Sequence, residues 1–190
     1  MKKHLILSIA ILSLFFFAPD AEAAIVNTGN ASTTGTGVTA SSTHGLTINS
    51  GDVVVAFVQA NSGGAPIAAS STVPFTEQIN FATFDVNPSR YAIYYRVSAG
   101  SEPASYQWSL NTSVTFAVII RVFSGVDNTN VWDVTPSSLT FSSSTTGTTA
   151  TAPSMTTITD GAMGILAFFT DGAPGYSSPT NGYGTEIETT

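Results

Sequence analysis

The chain has 190 residues, no cysteine and a formal net charge of −7 at pH 7. The lack of cysteine excludes disulfides, thiolate nucleophiles, Cys–zinc sites and iron–sulfur clusters, so core packing has to hold the fold. The acidic balance argues against nucleic acid and anionic membrane surfaces as partners, because both are bound through clustered cations.

The N-terminus has the three parts of a secretory signal peptide. Lys2 and Lys3 form the positive region, Leu5–Ala18 the apolar region, and the Ala-Glu-Ala of residues 21–23 a cleavage site. We therefore expect a signal peptide over residues 1–23 and a secreted product, extracellular or on the cell surface, with the periplasm as a second location. An uncleaved anchor is the alternative, but a spanning helix needs about 20 apolar residues. No later segment is apolar enough to span a membrane.

Cleavage would remove both lysines and leave three arginines and ten carboxylates. A chain without lysine can form neither a Schiff base nor a phosphate-binding P-loop. The negative charge itself mainly favours solubility.

The segment after the cleavage site has an unusual composition. Residues 24–44 are almost entirely Gly, Ser, Thr, Ala and Asn. This composition fits either a flexible leader or an edge strand with alternating threonines. We predict a flexible Ser/Thr/Gly-rich leader that runs into a strand at Gly45–Ile48.

Six later segments have the apolar patterns of β-strands. They are Asp52–Ala60, Phe75–Phe84, Arg90–Ser98, Ser105–Leu110, Thr112–Asp127 and Ala162–Thr170. The fifth segment is apolar on both faces and rich in β-branched residues, which predicts the central strand of a sheet. Asn111 and Thr112 are expected to turn the chain into it, so that the strands from Arg90 onward form an antiparallel meander.

No segment has a helical period with caps, so we predict an all-β fold. The strand spacing is typical of an antiparallel β-sandwich with two sheets, of the jelly-roll or immunoglobulin-like kind, over residues 45–190. Ile48–Phe57 resembles Ile158–Phe168, and the second copy stops where the first continues, which predicts C-terminal truncation. Convergent turn chemistry is the alternative. The predicted core consists of Val53, Val55, Phe57, Tyr95, Trp108, Phe116, Val118, Ile120, Leu166 and Phe168.

Several strand and turn motifs together resemble a known kind of module. They are Gly51–Phe57, Ser105–Leu110, Val122–Asp127, Thr151–Ser154 and Asp160–Ala162. The pattern, from Thr47 to Glu186, is similar to an uncharacterised β-sandwich module of bacterial secreted or surface proteins and of phage structural proteins. The resemblance implies the fold and no particular site residue.

Catalytic groups are sparse. The mature chain has a single histidine, His44, and no Gly-x-Ser-x-Gly elbow, which argues against a Ser–His–Asp hydrolase and a histidine metal site. A glycosidase would need two facing carboxylates. Glu186 with Glu188, or Glu77 with Glu186, are the candidate pairs, and solvated strand carboxylates are the simpler interpretation.

The loop after the central strand is a candidate calcium site. Asp127, Asn128, Asn130 and Asp133 offer oxygen ligands of the kind that Ca²⁺ prefers. The loop lacks the glycine and the terminal glutamate of an EF-hand. Such Asx residues also commonly close a turn after a strand, and the sequence favours that alternative.

Aromatic side chains in loops are the candidate ligand-binding residues. Trp132 lies in the same loop, and Tyr176 and Tyr183 lie in the last Gly/Pro-rich segment. Sugar-binding sandwiches stack pyranose rings on such residues, although loop aromatics also serve as packing anchors.

The sequence therefore favours a non-catalytic extracellular or cell-surface structural or adhesion module. A carbohydrate-binding domain is the second alternative, and a glycan-active enzyme is the third. Glycans, or neighbouring subunits that add a strand to an open sheet edge, are the expected partners. No cofactor is expected apart from calcium.

Overall fold

The computed structural model describes residues 24–61, 67–70, 73–82, 89–134, 156–165 and 167. Within this part of the chain the protein is all-β and contains no helix, hence none able to span a membrane. The strands are β1 (Val26–Thr43), β2 (Val53–Ala60), β3 (Ile67–Ser70), β4 (Thr76–Ala82), β5 (Arg90–Val97) and β6 (Ser105–Ser124). The predicted signal peptide lies outside the described residues.

The strands form one antiparallel sheet in the order β1-β6-β2-β5-β4. β3 pairs with the first part of β6 and lies off this path. The described residues thus show a six-stranded sheet, and the second sheet of the predicted sandwich is not seen among them.

β6 is the strand around which the sheet is built. It runs for 20 residues and includes both Ser105–Leu110 and most of the predicted central strand. The predicted turn at Asn111 and Thr112 is wrong, because these polar residues continue the extended backbone. The predicted meander is also wrong, because β5 and β6 are not neighbours. β6 lies between β1 and β2, and β5 lies on the far side of β2.

Residues 26–43 form a strand instead of the predicted leader, and within the described part of the chain this strand lies at the edge of the sheet, as in the alternative. β1 pairs with β6 over nearly its whole length, from Val26↔Ser124 to Thr43↔Ser105. Small residues permit this close approach. A Cβ on Gly35 would lie 2.7 Å from the ring of Phe116 in β6. The predicted strand at Gly45–Ile48 does not form.

Apolar side chains are buried on both faces of the sheet. One cluster is built around Trp108 and Tyr94, together with alternate residues of β2 and of the second half of β6. The other is built around Val53, Val55 and Phe57 and is covered by residues that follow β6, including Val131. Burial on both faces explains why β2 and the second half of β6 have nearly continuous apolar sequences rather than alternating ones.

Most of the predicted core is confirmed. Buried side chains are found at Val53, Val55, Phe57, Trp108, Phe116, Val118 and Ile120. Tyr95 is half-buried and packs against the second cluster. Leu166 and Phe168 lie outside the described residues. The described part of the predicted strand Ala162–Thr170, residues 162–165 and 167, is not in a strand.

Candidate functional site

The loop after β6, which the sequence analysis singled out, closes a groove against β4 and β5. The groove has a volume of about 370 Å³, and its lining includes Phe75, Tyr95, Arg96, Asn128 and Thr129. The lining residues thus carry two aromatic rings, a guanidinium, an amide and two threonine hydroxyls, around a space large enough for a small ring-shaped ligand.

Trp132 supports this groove from the side of the second apolar cluster. Its ring meets Tyr95 edge-on, with 5.4 Å between ring centroids and an interplanar angle of 85°. The indole N–H is buried and has no hydrogen-bond partner among the described residues. Trp132 therefore packs edge-on against Tyr95, and ligand binding by Trp132 stays a prediction. Tyr176 and Tyr183, the other two predicted ligand-binding residues, lie outside the described residues.

In the predicted calcium loop, the carboxylates of Asp127 and Asp133 accept hydrogen bonds. Asp127 accepts one from the Thr129 backbone at 2.8 Å and one from the Asn130 amide at 3.4 Å, which closes an Asx turn. Asp133 accepts from the backbone N–H groups of Ile158 at 2.6 Å and of Thr159 at 2.9 Å, and from the Thr159 hydroxyl.

These bonds direct the two carboxylates to different partners. Among the described residues no group of three or more acidic or histidine side chains could hold a metal ion. The hydrogen bond from the Thr129 backbone lowers the pKa of Asp127, and the bond from the Thr159 hydroxyl lowers the pKa of Asp133. Both carboxylates therefore stay charged well below neutral pH. Calcium binding by Asp127, Asn128, Asn130 and Asp133 stays a prediction.

A buried polar cluster that the sequence analysis did not identify lies beside the groove. Arg96 and Glu102 form an ion pair at 3.1 Å, with side chains only 10 % and 5 % exposed. The Tyr106 hydroxyl donates a hydrogen bond of 2.7 Å to the other oxygen of Glu102. His44 stacks on the Tyr106 ring, with 4.6 Å between centroids.

This cluster is closed to solvent. His44 is 7 % exposed, and neither ring nitrogen makes a well-aligned hydrogen bond. Burial lowers the pKa of His44, which the nearby Glu102 carboxylate only partly opposes. Burial, together with the bond to Glu102, raises the pKa of Tyr106. The cluster connects the end of β1 to β5 and β6 through side-chain contacts. This closed geometry suits a structural role better than general acid–base catalysis.

We expect the protein to lose stability as the pH falls below about 6.5, partly through His44. The unfolded imidazole protonates near its ordinary pKa of about 6.5, whereas the folded one has a lower pKa. The unfolded state therefore binds more protons between these two values, and the free energy of unfolding decreases as the pH falls through them.

Urea unfolding at pH 7.5, 6.5 and 5.5 would measure this loss. His44→Phe keeps an aromatic ring against Tyr106 but has no titrating group, so its unfolding midpoint should change less over this range. An equal decline in both proteins would show that His44 is not responsible.

Glu77, one of the predicted glycosidase carboxylates, belongs to another network. Its carboxylate accepts hydrogen bonds from Asn80 at 2.9 Å and from the Tyr94 hydroxyl at 3.2 Å. Both of these donors also reach the backbone carbonyl of Ile67, which ties β3 to β4 and β5. Glu186 and Glu188 lie outside the described residues, so neither carboxylate pair can be assessed.

Among the residues that the structure describes, the outer side of β1 is the longest strand edge without a paired neighbour. β1 pairs only with β6 among the described residues, and its 18 residues include no charge and no proline. Two of the exposed large apolar side chains, Val26 at 50 % and Val38 at 56 %, belong to it. Edge strands of monomeric proteins commonly carry lysine or proline, which prevents them from pairing with other chains.

The groove and the outer side of β1 are thus the two candidate binding surfaces. No protein-family model, curated protein or solved structure matches this chain.

Proposed function

We propose that this protein is a non-catalytic extracellular or cell-surface structural or adhesion module, which joins an assembly by accepting a strand at β1. The observation that carries the proposal is the long, uncharged outer side of β1. Along an antiparallel edge strand, alternate residues direct both backbone N–H and C=O away from the sheet. These groups can bind a partner strand through main-chain hydrogen bonds alone.

Two features of β1 support this role. Its backbone is irregular between Asn27 and Gly29 and between Gly37 and Thr39, but regular in the intervening segment Gly29–Gly37. Bulges protect an edge by bending it, and here they leave the middle of the strand straight. The side chains of this middle segment are small or hydroxylated, so they do not obstruct an incoming strand.

Hydrogen exchange measured by NMR in dilute protein would test the open edge. We expect alternation along Gly29–Gly37: amides bonded to β6 exchange slowly, and those that face outward exchange at nearly the rate of an unstructured peptide. Alternate amides of β2, which is paired on both sides, provide the matched control because all of them should be slow. Uniform protection of Gly29–Gly37 in the monomer would show that the edge is already occupied, and would refute the proposal.

A carbohydrate-binding domain is the second candidate, favoured by the groove. Tyr95 and Phe75 could contact the apolar face of a sugar ring, while Asn128 and Thr129 could bind its hydroxyl groups. Arg96 is neutralised by Glu102, so a neutral sugar fits this groove better than an acidic one. In this candidate the aromatic contact comes from Tyr95, with Trp132 behind it.

A glycan array probed with Ala24–Thr190, with and without calcium, separates the two candidates. The structural module predicts no reproducible binding in either condition. Binding that is lost in Tyr95→Ala and retained in the control Val38→Ala would favour the groove. A calcium requirement that is lost in Asp127→Asn would in addition support the predicted metal loop.

A further inference from the structure

We infer that the strand accepted by β1 is the β1 strand of a second copy of this chain, paired antiparallel along Gly29–Gly37. This inference rests on the proposed function and names its partner. An antiparallel pair of identical strands has a two-fold axis, which is the commonest symmetry of soluble homo-oligomers. The pairing would join two sheets into one continuous sheet across both copies.

The distribution of charge favours a second copy over a partner of opposite charge. The chain is acidic overall, with a net charge of −7, so two copies repel each other over most of their surface. β1 carries no charge. It is therefore a surface where two copies can meet without placing like charges opposite each other, and it offers nothing that would select a cationic or anionic partner.

The sequence of β1 is also compatible with itself in this register. Thr33 is the midpoint of the regular segment, and an axis there places Ser32 opposite Thr34 and Asn30 opposite Thr36 of the second copy. These side chains share the exposed face of β1. Cross-strand pairs of threonine and serine are favourable because their hydroxyl groups can bond to each other.

On the half-buried face of β1, glycines leave room for the second strand. The same axis places Gly29 opposite Gly37, and Ala31 opposite Gly35, so no bulky side chains collide. Pairing over such a short segment buries less area than a standard interface, which is about 1,600 Å². We therefore expect a weak, concentration-dependent dimer that requires cross-linking for detection.

Disulfide cross-linking is a direct test because the natural chain has no cysteine. Asn30→Cys and Thr36→Cys proteins are mixed and oxidised with a copper–phenanthroline catalyst. In the proposed register Asn30 lies opposite Thr36 of the second copy, within the Cα separation of about 4.4–6.8 Å that a disulfide needs. The two copies of Asn30 are six positions apart along the strand pair, too far for a disulfide, so neither variant should cross-link to itself. We expect a covalent dimer from the mixture, about tenfold above that from either variant alone.

A control cysteine in an exposed loop, Ser101→Cys mixed with Asn30→Cys, should give only the background yield. A third substitution then tests whether the edge causes the pairing. Thr34→Lys and Thr34→Glu, added to both partners, should each strongly reduce the cross-link, because the two like charges would be diagonal neighbours on the exposed face of the pair, about 7–8 Å apart. Thr34→Val, which keeps a β-branched neutral side chain, should retain it.

The outcomes separate this inference from the proposed function. Background yields in the Asn30/Thr36 mixture, with fast outward amides in the exchange experiment, would overturn the second copy as partner and leave an open edge for another strand. A cross-link that keeps its full yield with both Thr34→Lys and Thr34→Glu would also overturn the inference. Protected outward amides in the monomer would refute the strand-accepting edge itself, whatever the cross-linking shows.

Discussion

Trp108→Ala should lower the free energy of unfolding by about 3–5 kcal/mol, the usual cost of deleting a large buried side chain. Trp108 has no exposed surface and is the largest fully buried residue in the described part of the chain. It packs against Phe75 and Tyr94, with 5.6 and 6.1 Å between ring centroids. Because domains are stable by only about 5–15 kcal/mol, a large part of the variant population should be unfolded at 37 °C.

Urea unfolding followed by far-ultraviolet circular dichroism would measure this effect. Trp132→Ala is the matched control, since it removes the same side chain from a half-buried position at the groove. We expect it to cost less than half as much. Equal costs for the two variants would show that the cluster around Trp108 is not the main core of the fold.

Trp108→Phe refines the same prediction. The indole N–H of Trp108 is buried and has no hydrogen-bond partner among the described residues. An unsatisfied buried donor costs about 1–3 kcal/mol, and phenylalanine removes it while keeping part of the ring contact. We therefore expect Trp108→Phe to cost much less than Trp108→Ala.

Strands with strong apolar patterns could be predicted from the sequence. β2 and β5 were placed to within a residue or two, and the alternation of Tyr106, Trp108 and Leu110 correctly identified buried positions. Such patterns can be detected within a short stretch of sequence, because apolar residues recur at the positions whose side chains face the core. Pairing partners are not local, which explains why the meander is wrong although Arg90–Ser98 is correctly predicted as a strand. The break predicted between Ser105–Leu110 and Thr112–Asp127 is also absent, because both segments belong to β6.

β1 shows where local patterns stop being informative. Its 18 residues include only two large apolar side chains, Val26 and Val38, and they are interrupted by glycine and asparagine, which are depleted in strands, so composition alone favours a leader. The strand forms because β6 provides a long apolar partner, and because Gly35 leaves room for the Phe116 ring. The alternating threonines were the one sequence signal that favoured a strand.

The candidate sites were harder to predict than the strands. Asp127 closes a local Asx turn, as the sequence predicts. Asp133 does not, because its hydrogen-bond partners lie 25 and 26 positions further along the chain. The polar cluster brings His44, Arg96 and Glu102 together from distant segments, through the backbone bond from His44 to Ala104 at 3.0 Å. The spacing of these residues in the sequence does not predict their contact. It depends on how the strands that carry or flank them are paired in the sheet.

Arg96→Met should be the second most damaging substitution, at about 3–5 kcal/mol, because it leaves Glu102 as an unpaired buried charge. The methionine keeps an apolar stem against Phe75, over which the guanidinium now lies at 5.8 Å from the ring centroid. The lost energy therefore reports on the charge at Glu102 and not on packing. Glu102→Gln should cost less, because glutamine can still accept the hydrogen bond from Tyr106.

The double variant Arg96→Met/Glu102→Gln decides between two views of the pair. In the first view, Arg96 is needed because the buried charge of Glu102 requires a partner. Removing both charges should then restore much of the stability lost in Arg96→Met, because a buried ion pair can be replaced by neutral residues at little cost. The coupling energy from a double-mutant cycle in urea should then be at least about 1 kcal/mol. Additive losses would mean that water still reaches Glu102, and that Arg96 stabilises the sheet mainly through its bond to the Pro74 carbonyl and its contact with Phe75.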